Sequence, residues 1–106
     1  MSPIDTAVRR IVEAVQPEAV FLFGSRARGD AVEGSDWDLF VVVSDTVQPG
    51  TVTPSRLRRL LKGTGAAFDV VACRRSVFDA RKTEPNSLSH DVAEDGVLLY
   101  ERKPRG

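Results

Sequence analysis

The sequence predicts an α/β (α+β) domain built as a small mixed β-sheet flanked by helices. Three features predict it. Short apolar runs of strand length recur at 19–23, 37–43 and 67–73, the last two each holding one aspartate. Stretches of helical periodicity precede and separate them, and Gly, Pro and capping residues mark the junctions.

Taken in order, Ile4, Val8, Ile11, Val12 and Val15 recur at helical spacing. Ser2 suits the N-cap, Pro3 suits the first helical position, and Pro17 stops the helix. Ala19 to Phe23 reads as a strand buried on both faces, ended abruptly by Gly24-Ser25. Arg26 to Asp30 begins a short helix, and Ala31 to Ser35 is a turn. Trp37 to Val43 is a second strand, followed by a loop containing Pro49 and Gly50. Thr53-Pro54 opens a helix with Leu57, Leu60 and Leu61 on its apolar face and Gly63 as its expected C-cap. Ala67 to Cys73 is a third strand. Ser76 is expected to cap a short helix packing Val77 and Phe78, and Asn86 another that Gly96 stops. Val97 to Tyr100 is the last strand. The expected organisation is one domain over 1–101, with a basic tail over 102–106 that frays.

The 106 residues suffice for one core, and a separate substrate-binding domain does not fit. Lys+Arg and Asp+Glu both number 15, so no basic excess advertises a polyanion partner and direct nucleic-acid binding is not expected. The basic stretch Arg56, Arg58, Arg59 and Lys62 reads as a solvated helix face. No apolar run approaches the roughly 20 residues a membrane span needs, and Met1 to Asp5 lacks the regions of a signal peptide. The single cysteine, Cys73, excludes an internal disulfide and suits a reducing, cytoplasmic setting.

The chemistry concentrates in two stretches. Asp36 and Asp38 stand two apart at the head of an apolar strand, so their side chains point to the same face. Two like charges so placed repel, and Asp disfavours strands; a divalent cation reverses that penalty by binding both. Asp69 lies inside the otherwise apolar Ala67 to Ala72. If that strand neighbours the Asp36 strand, Asp69 completes a three-carboxylate cluster able to hold two Mg²⁺ ions about 3.5–4 Å apart, suited to in-line displacement at phosphorus. The other stretch is the turn. Gly24 permits close backbone approach, N–H groups at a helix start favour phosphate, the Ser25 hydroxyl can donate, and Arg26 or Arg28 can add charge. Glycines at 24 and 29 have P-loop spacing, but Asp30-Ala31 replaces the required Lys-Ser/Thr, which excludes a P-loop.

Gly24-Ser25, ten intervening residues and Asp36-Trp37-Asp38 together resemble the signature of the DNA polymerase β-like nucleotidyltransferase superfamily. The longer pattern, Gly-Ser-x-Ala-Arg-Gly followed by Ser-Asp-x-Asp-Leu, resembles its minimal nucleotidyltransferase branch. Asn86-Ser87-Leu88 and Asp95 to Tyr100 resemble that branch's C-terminal segment. The resemblance implies the nucleotidyltransferase fold, with Gly24 and Ser25 holding the β- and γ-phosphates of ATP. It makes Asp36 and Asp38 ligands of Mg²⁺. Asp69 would complete the metal site and help deprotonate an acceptor hydroxyl, and pyrophosphate would leave. It also implies a partner, because many such proteins are antitoxins paired with a helical HEPN-type toxin, on which they adenylylate a tyrosine. Two alternatives share the pattern: an antitoxin that neutralises by binding alone, and transfer to a small molecule, as in aminoglycoside nucleotidyltransferases.

Other residues read as structural: Asp30 as an arginine partner, Cys73 as core, and His90 as surface or packing. Trp37 and Tyr100 read as packing residues rather than a base-stacking platform. Arg74 and Arg75 follow the Asp69 strand, where a structural role competes with contact to nucleotide or partner.

Overall fold

A computed structural model describes residues 2–103. Four strands form one sheet in the order β3-β2-β1-β4. They are β1 (Ala19–Phe23), β2 (Trp37–Val43), β3 (Phe68–Arg74) and β4 (Val97–Glu101). β1 runs antiparallel to both β2 and β4, whereas β2 and β3 are parallel. The sheet is therefore mixed, as expected. The parallel pair needs a crossover, supplied by helix α3 (Pro54–Leu60).

Alternation along the strands divides the core into two layers. Val20, Leu22, Leu39, Val41, Val43 and Val70 join Ile11 of α1 (Pro3–Val15) and Leu57 of α3. On the other face Ala19, Phe40 and Val42 pack against Phe78 of α4 (Arg75–Arg81) and Val92 of α5 (Leu88–Asp95). Phe40 meets Phe23 edge-on at 6.2 Å and Phe78 at 5.5 Å between ring centroids. β2 is covered on both sides, and Leu39 to Val43 are all buried. That explains the unbroken apolar run from Leu39 to Val43.

The first helix follows its local signals. The Ser2 hydroxyl accepts from the Asp5 N–H at 3.3 Å, Pro3 stands at the start, and Gln16 ends the helix in the left-handed region at φ 50°. Later caps differ from the sequence reading. Leu61, not Gly63, is the C-cap of α3, and Gly63 serves the following turn at φ 79°. Helix α4 starts at Arg75 with no side-chain cap from its N-cap residue. Instead Asp45, from the loop after β2, accepts from the Ser76 N–H at 3.0 Å. Phe78 is buried as expected, but Val77 is 41% exposed.

Ser87, rather than Asn86, caps α5. Its hydroxyl accepts from the His90 N–H at 3.0 Å and lies 2.8 Å from the Arg81 carbonyl, while Asn86 takes the left-handed conformation at φ 71°. Ser87→Ala is therefore expected to cost about 1–2 kcal/mol, and Asn86→Gly to be near neutral or favourable. Urea denaturation of both variants checks this; equal losses would mean that Ser87 is not the cap.

β4 is one of the two edge strands, and its Val97 and Leu98 are 44% and 47% exposed. Just past β4, the Arg102 N–H donates to the Glu18 carbonyl at 2.9 Å. Residues 104–106 of the expected tail lie outside the described residues. Among those described, no helix is long and apolar enough to cross a membrane.

Candidate active site

The β1–β2 connection and the start of β3 bring the candidate residues together at one end of the sheet. Asp38 is the direct partner of Asp69 across the parallel β2–β3 pair, and of Phe23 across the antiparallel β1–β2 pair. Neighbouring strands lie about 4.8 Å apart and paired residues share a face, so Asp38 and Asp69 stand side by side. They occupy the α4/α5 face of the sheet, beyond the aromatic cluster of Phe23, Phe40 and Phe78. Asp36 precedes β2 by one residue and is exposed. The Trp37 N–H donates to the Ala67 carbonyl at 3.0 Å and secures the strand entrance just after it.

Asp38 records this crowding. Partial burial holds its carboxyl above the ordinary range, and the negative charges of Asp69 and Asp36 push it further the same way; only Arg28 opposes them. Three acidic groups thus share one electrostatic neighbourhood. Their donors are all oxygen, which suits a hard divalent cation such as Mg²⁺. Such a cation would relieve the repulsion that holds Asp38 up. Among the described residues no three acidic, histidine or cysteine side chains are drawn close enough to form a ready-made metal cage. Asp38 and Asp69 are brought together by backbone register, and the carboxylates are not closed around a centre.

Gly24 closes the other side. It sits at φ 76° and ψ −156°, a conformation confined in practice to glycine. A Cβ added there would collide with the Asp38 carboxylate. The sequence reading gave Gly24 the task of letting backbone approach a phosphate; the approach visible in the fold is to Asp38. Gly24 also caps the single turn α2 (Ser25–Arg28), its carbonyl accepting from the N–H groups of Ala27 and Arg28, both at 3.1 Å. The Ser25 and Arg26 N–H groups begin that turn and have no intrahelical acceptor. With the Ser25 hydroxyl they form a donor set one residue from the carboxylate that Gly24 touches.

The two arginines divide. Arg28 is exposed, with Nε 3.3 Å from the Asp30 carboxylate, and its charge reaches Asp38. Arg26 turns inward: Nε and Nη2 donate to the Ser35 carbonyl at 3.1 and 2.7 Å, and the guanidinium lies 4.2 Å from the centre of the Trp37 ring. This link between Arg26, Ser35 and Trp37 was not visible in the sequence, because it joins residues across an irregular loop and one acceptor is a main-chain carbonyl.

Arg74 and Arg75, open in the sequence between structure and ligand contact, are both engaged within the fold. Arg74 donates to the Asp45 carbonyl at 2.9 Å, and Arg75 pairs with Asp79 at 3.2 Å. Cys73 is only half-buried; burial raises its thiol despite the opposing influence of Ser89 and Arg81.

Carboxylates in register on a mixed sheet, faced by a glycine-serine turn, define a nucleotidyltransferase-type domain. The chain belongs to the family described as Polymerase beta, Nucleotidyltransferase, whose match spans residues 7–105. Among solved structures it is similar to a Sulfolobus solfataricus protein assigned as a nucleotidyltransferase. The identity is 25% and the TM-score 0.56, over 96% of this chain and 89% of that one. It is also similar to a toxin–antitoxin structure with AMP-PNP, at 19% identity and TM-score 0.66, over 93% of this chain and 73% of that one. A third is the toxin–antitoxin MntA-HpeT carrying two aspartate-to-glutamate substitutions two positions apart. Its identity is 16% and its TM-score 0.65, over 97% of this chain and 76% of that one. No curated protein sequence matches the chain.

Proposed function

We propose that this domain moves AMP from ATP to a hydroxyl on a partner toxin of the HEPN type, a tyrosine by family resemblance, and thereby acts as its antitoxin in the cytoplasm. The observation that carries the chemistry is Asp38, flanked in register by Asp69 and touched from the other side by Gly24. A cluster of anions beside free N–H donors is the complement of a triphosphate accompanied by cations.

Each residue then has a task. Gly24, Ser25 and the first N–H groups of α2 bind the β- and γ-phosphates, and Arg28 adds positive charge at the mouth. Asp36, Asp38 and Asp69 would hold Mg²⁺, two ions by family resemblance, which supplies charge neutralisation at the phosphates when bound. Asp69 takes the proton from the acceptor hydroxyl. The acceptor oxygen forms a bond to the α-phosphorus, the bond from that phosphorus to the bridging oxygen breaks, and pyrophosphate leaves with the electron pair.

The antitoxin assignment draws on the likeness to two toxin–antitoxin structures, one of them with AMP-PNP. The aspartates replaced in the second are spaced as Asp36 and Asp38 are here. The test is to incubate the purified domain with its partner toxin, ATP and Mg²⁺, and to weigh the toxin intact. A gain of one or more AMP masses, located on a tyrosine, is expected. Inhibition without nucleotide and without a mass gain would instead establish neutralisation by binding, and transfer only to small hydroxyl compounds would move the acceptor to that class.

A further inference from the structure

The loop from Gly29 to Asp36 has to hold a carboxylate in place with little structure of its own. It contains Gly29 and Gly34 at φ 81° and 87°, neither with any neighbour in reach of an added Cβ. Its backbone bonds include one from the Asp30 N–H to the Ser25 carbonyl and one from the Ser35 N–H to the Val32 carbonyl, both turn-like. Val32 is 72% exposed, so the loop gains little from packing there. Yet Asp36 lies at its end, two residues before Asp38 and next to the Trp37 N–H that is bonded to the Ala67 carbonyl, so the loop end adjoins the cluster.

Arg26 supplies the missing restraint. Its two donors converge on the Ser35 carbonyl, and its Cζ lies over the Trp37 ring at 4.2 Å from the centroid, so one side chain grips the residues on both sides of Asp36. Arg26 itself follows Ser25 in α2. The same guanidinium therefore ties the phosphate-facing turn to the segment that carries Asp36. A guanidinium can direct two N–H donors to one carbonyl while its charge lies over an indole; an ammonium is a point charge without that fixed fork.

We propose that Arg26 is a positioning residue that locks Asp36 and the Ser25 turn into one unit, rather than a ligand of the triphosphate. The link to cation binding rests on the function proposed above; the lock itself does not. Trp37, the one tryptophan in the chain, reports on the contact without a label.

The experiment compares the wild-type chain with Arg26→Lys and Arg26→Gln, using three readouts. These are amide hydrogen exchange over residues 30–36, Trp37 fluorescence with its acrylamide quenching, and Mn²⁺ affinity by titration without nucleotide. Loss of charge-assisted hydrogen bonds is expected to speed exchange in the loop by about tenfold or more, while β1 and β2 stay protected. Trp37 should become more quenchable in both variants, and Mn²⁺ should bind about tenfold more weakly on the same grounds. Arg26→Lys should restore neither loop protection nor affinity fully. Wild-type loop exchange and Mn²⁺ affinity in both variants, with weaker ATP binding alone, would overturn the proposal and make Arg26 a phosphate ligand. Exchange rising throughout the chain in Arg26→Lys, with no excess in the loop, would also overturn it. Absence of saturable Mn²⁺ binding in the wild type would count against the proposed function, and the exchange and quenching results would still decide the lock.

Discussion

Replacing Asp38 by Asn is expected to lower nucleotidyl transfer by at least about 10²–10³-fold, and at neutral pH to make the folded domain more stable. The two effects share one cause. Burial and the charges of Asp69 and Asp36 hold the Asp38 carboxyl above its ordinary value of 3.8, so the folded state binds this proton more tightly than the unfolded state does. Above the folded pKa the ionised side chain therefore costs stability, and that cost fades as the pH falls through the raised value toward 3.8. Asparagine keeps the shape and removes the charge. For partly solvated groups the relief is roughly 0–1 kcal/mol, or at most about 4–8 °C in melting temperature for a domain of this size. Melting curves in the presence of a chelator should show the Asn variant above wild type at pH 7, with the gap closing on acidification. A pH-independent gap, or an Asn variant that melts lower at pH 7, would show that the carboxylate is not under electrostatic strain. Asp36 is exposed, so Asp36→Asn should lose activity with little change in melting.

Much of this arrangement is legible locally. Ser2, Pro3 and the apolar spacing define α1, and the unbroken runs of β1 and β2 mark strands covered on both faces. Asp36 and Asp38 stand out because like charges at the head of such a strand have no folding rationale. The limits appear wherever the partner is distant in sequence. Asp69 could be placed on a strand, but its pairing with Asp38 depends on β3 lying parallel to β2 after an α3 crossover, which no local pattern specifies. The α4 cap escaped for the same reason, since Asp45 acts 31 residues away from Ser76. Between Asn86 and Ser87 the two residue types cap equally well, and the left-handed φ at Asn86 decides which one does. Arg26 is the instructive case. An arginine in a phosphate-binding turn suggests phosphate contact, yet its acceptor is the Ser35 carbonyl, and main-chain acceptors leave no trace in side-chain identity.

Gly24→Ala should be the most damaging single substitution near the site, for two separable reasons. The backbone at φ 76° and ψ −156° is strained for any residue with a side chain, at a cost of about 1–3 kcal/mol. The new Cβ would also press on the Asp38 carboxylate from the side opposite Asp69, and the carboxylate must then swing toward Asp69 or push the turn outward. Either movement separates the phosphate-facing donors from the carboxylates, and a displacement of about 1 Å is enough to cost roughly 10²-fold in rate. A double-mutant cycle separates the contributions. In an Asp38→Ala background the collision disappears and only the backbone strain remains, so Gly24→Ala should destabilise that background measurably less than it does wild type. Equal losses in both backgrounds would remove the collision from the account and leave backbone conformation alone as the reason for glycine. Wild-type stability and transfer in Gly24→Ala would show that the turn and Asp38 are free to move apart. The close fit between Gly24 and Asp38 would then have no part in holding the two halves of the site together.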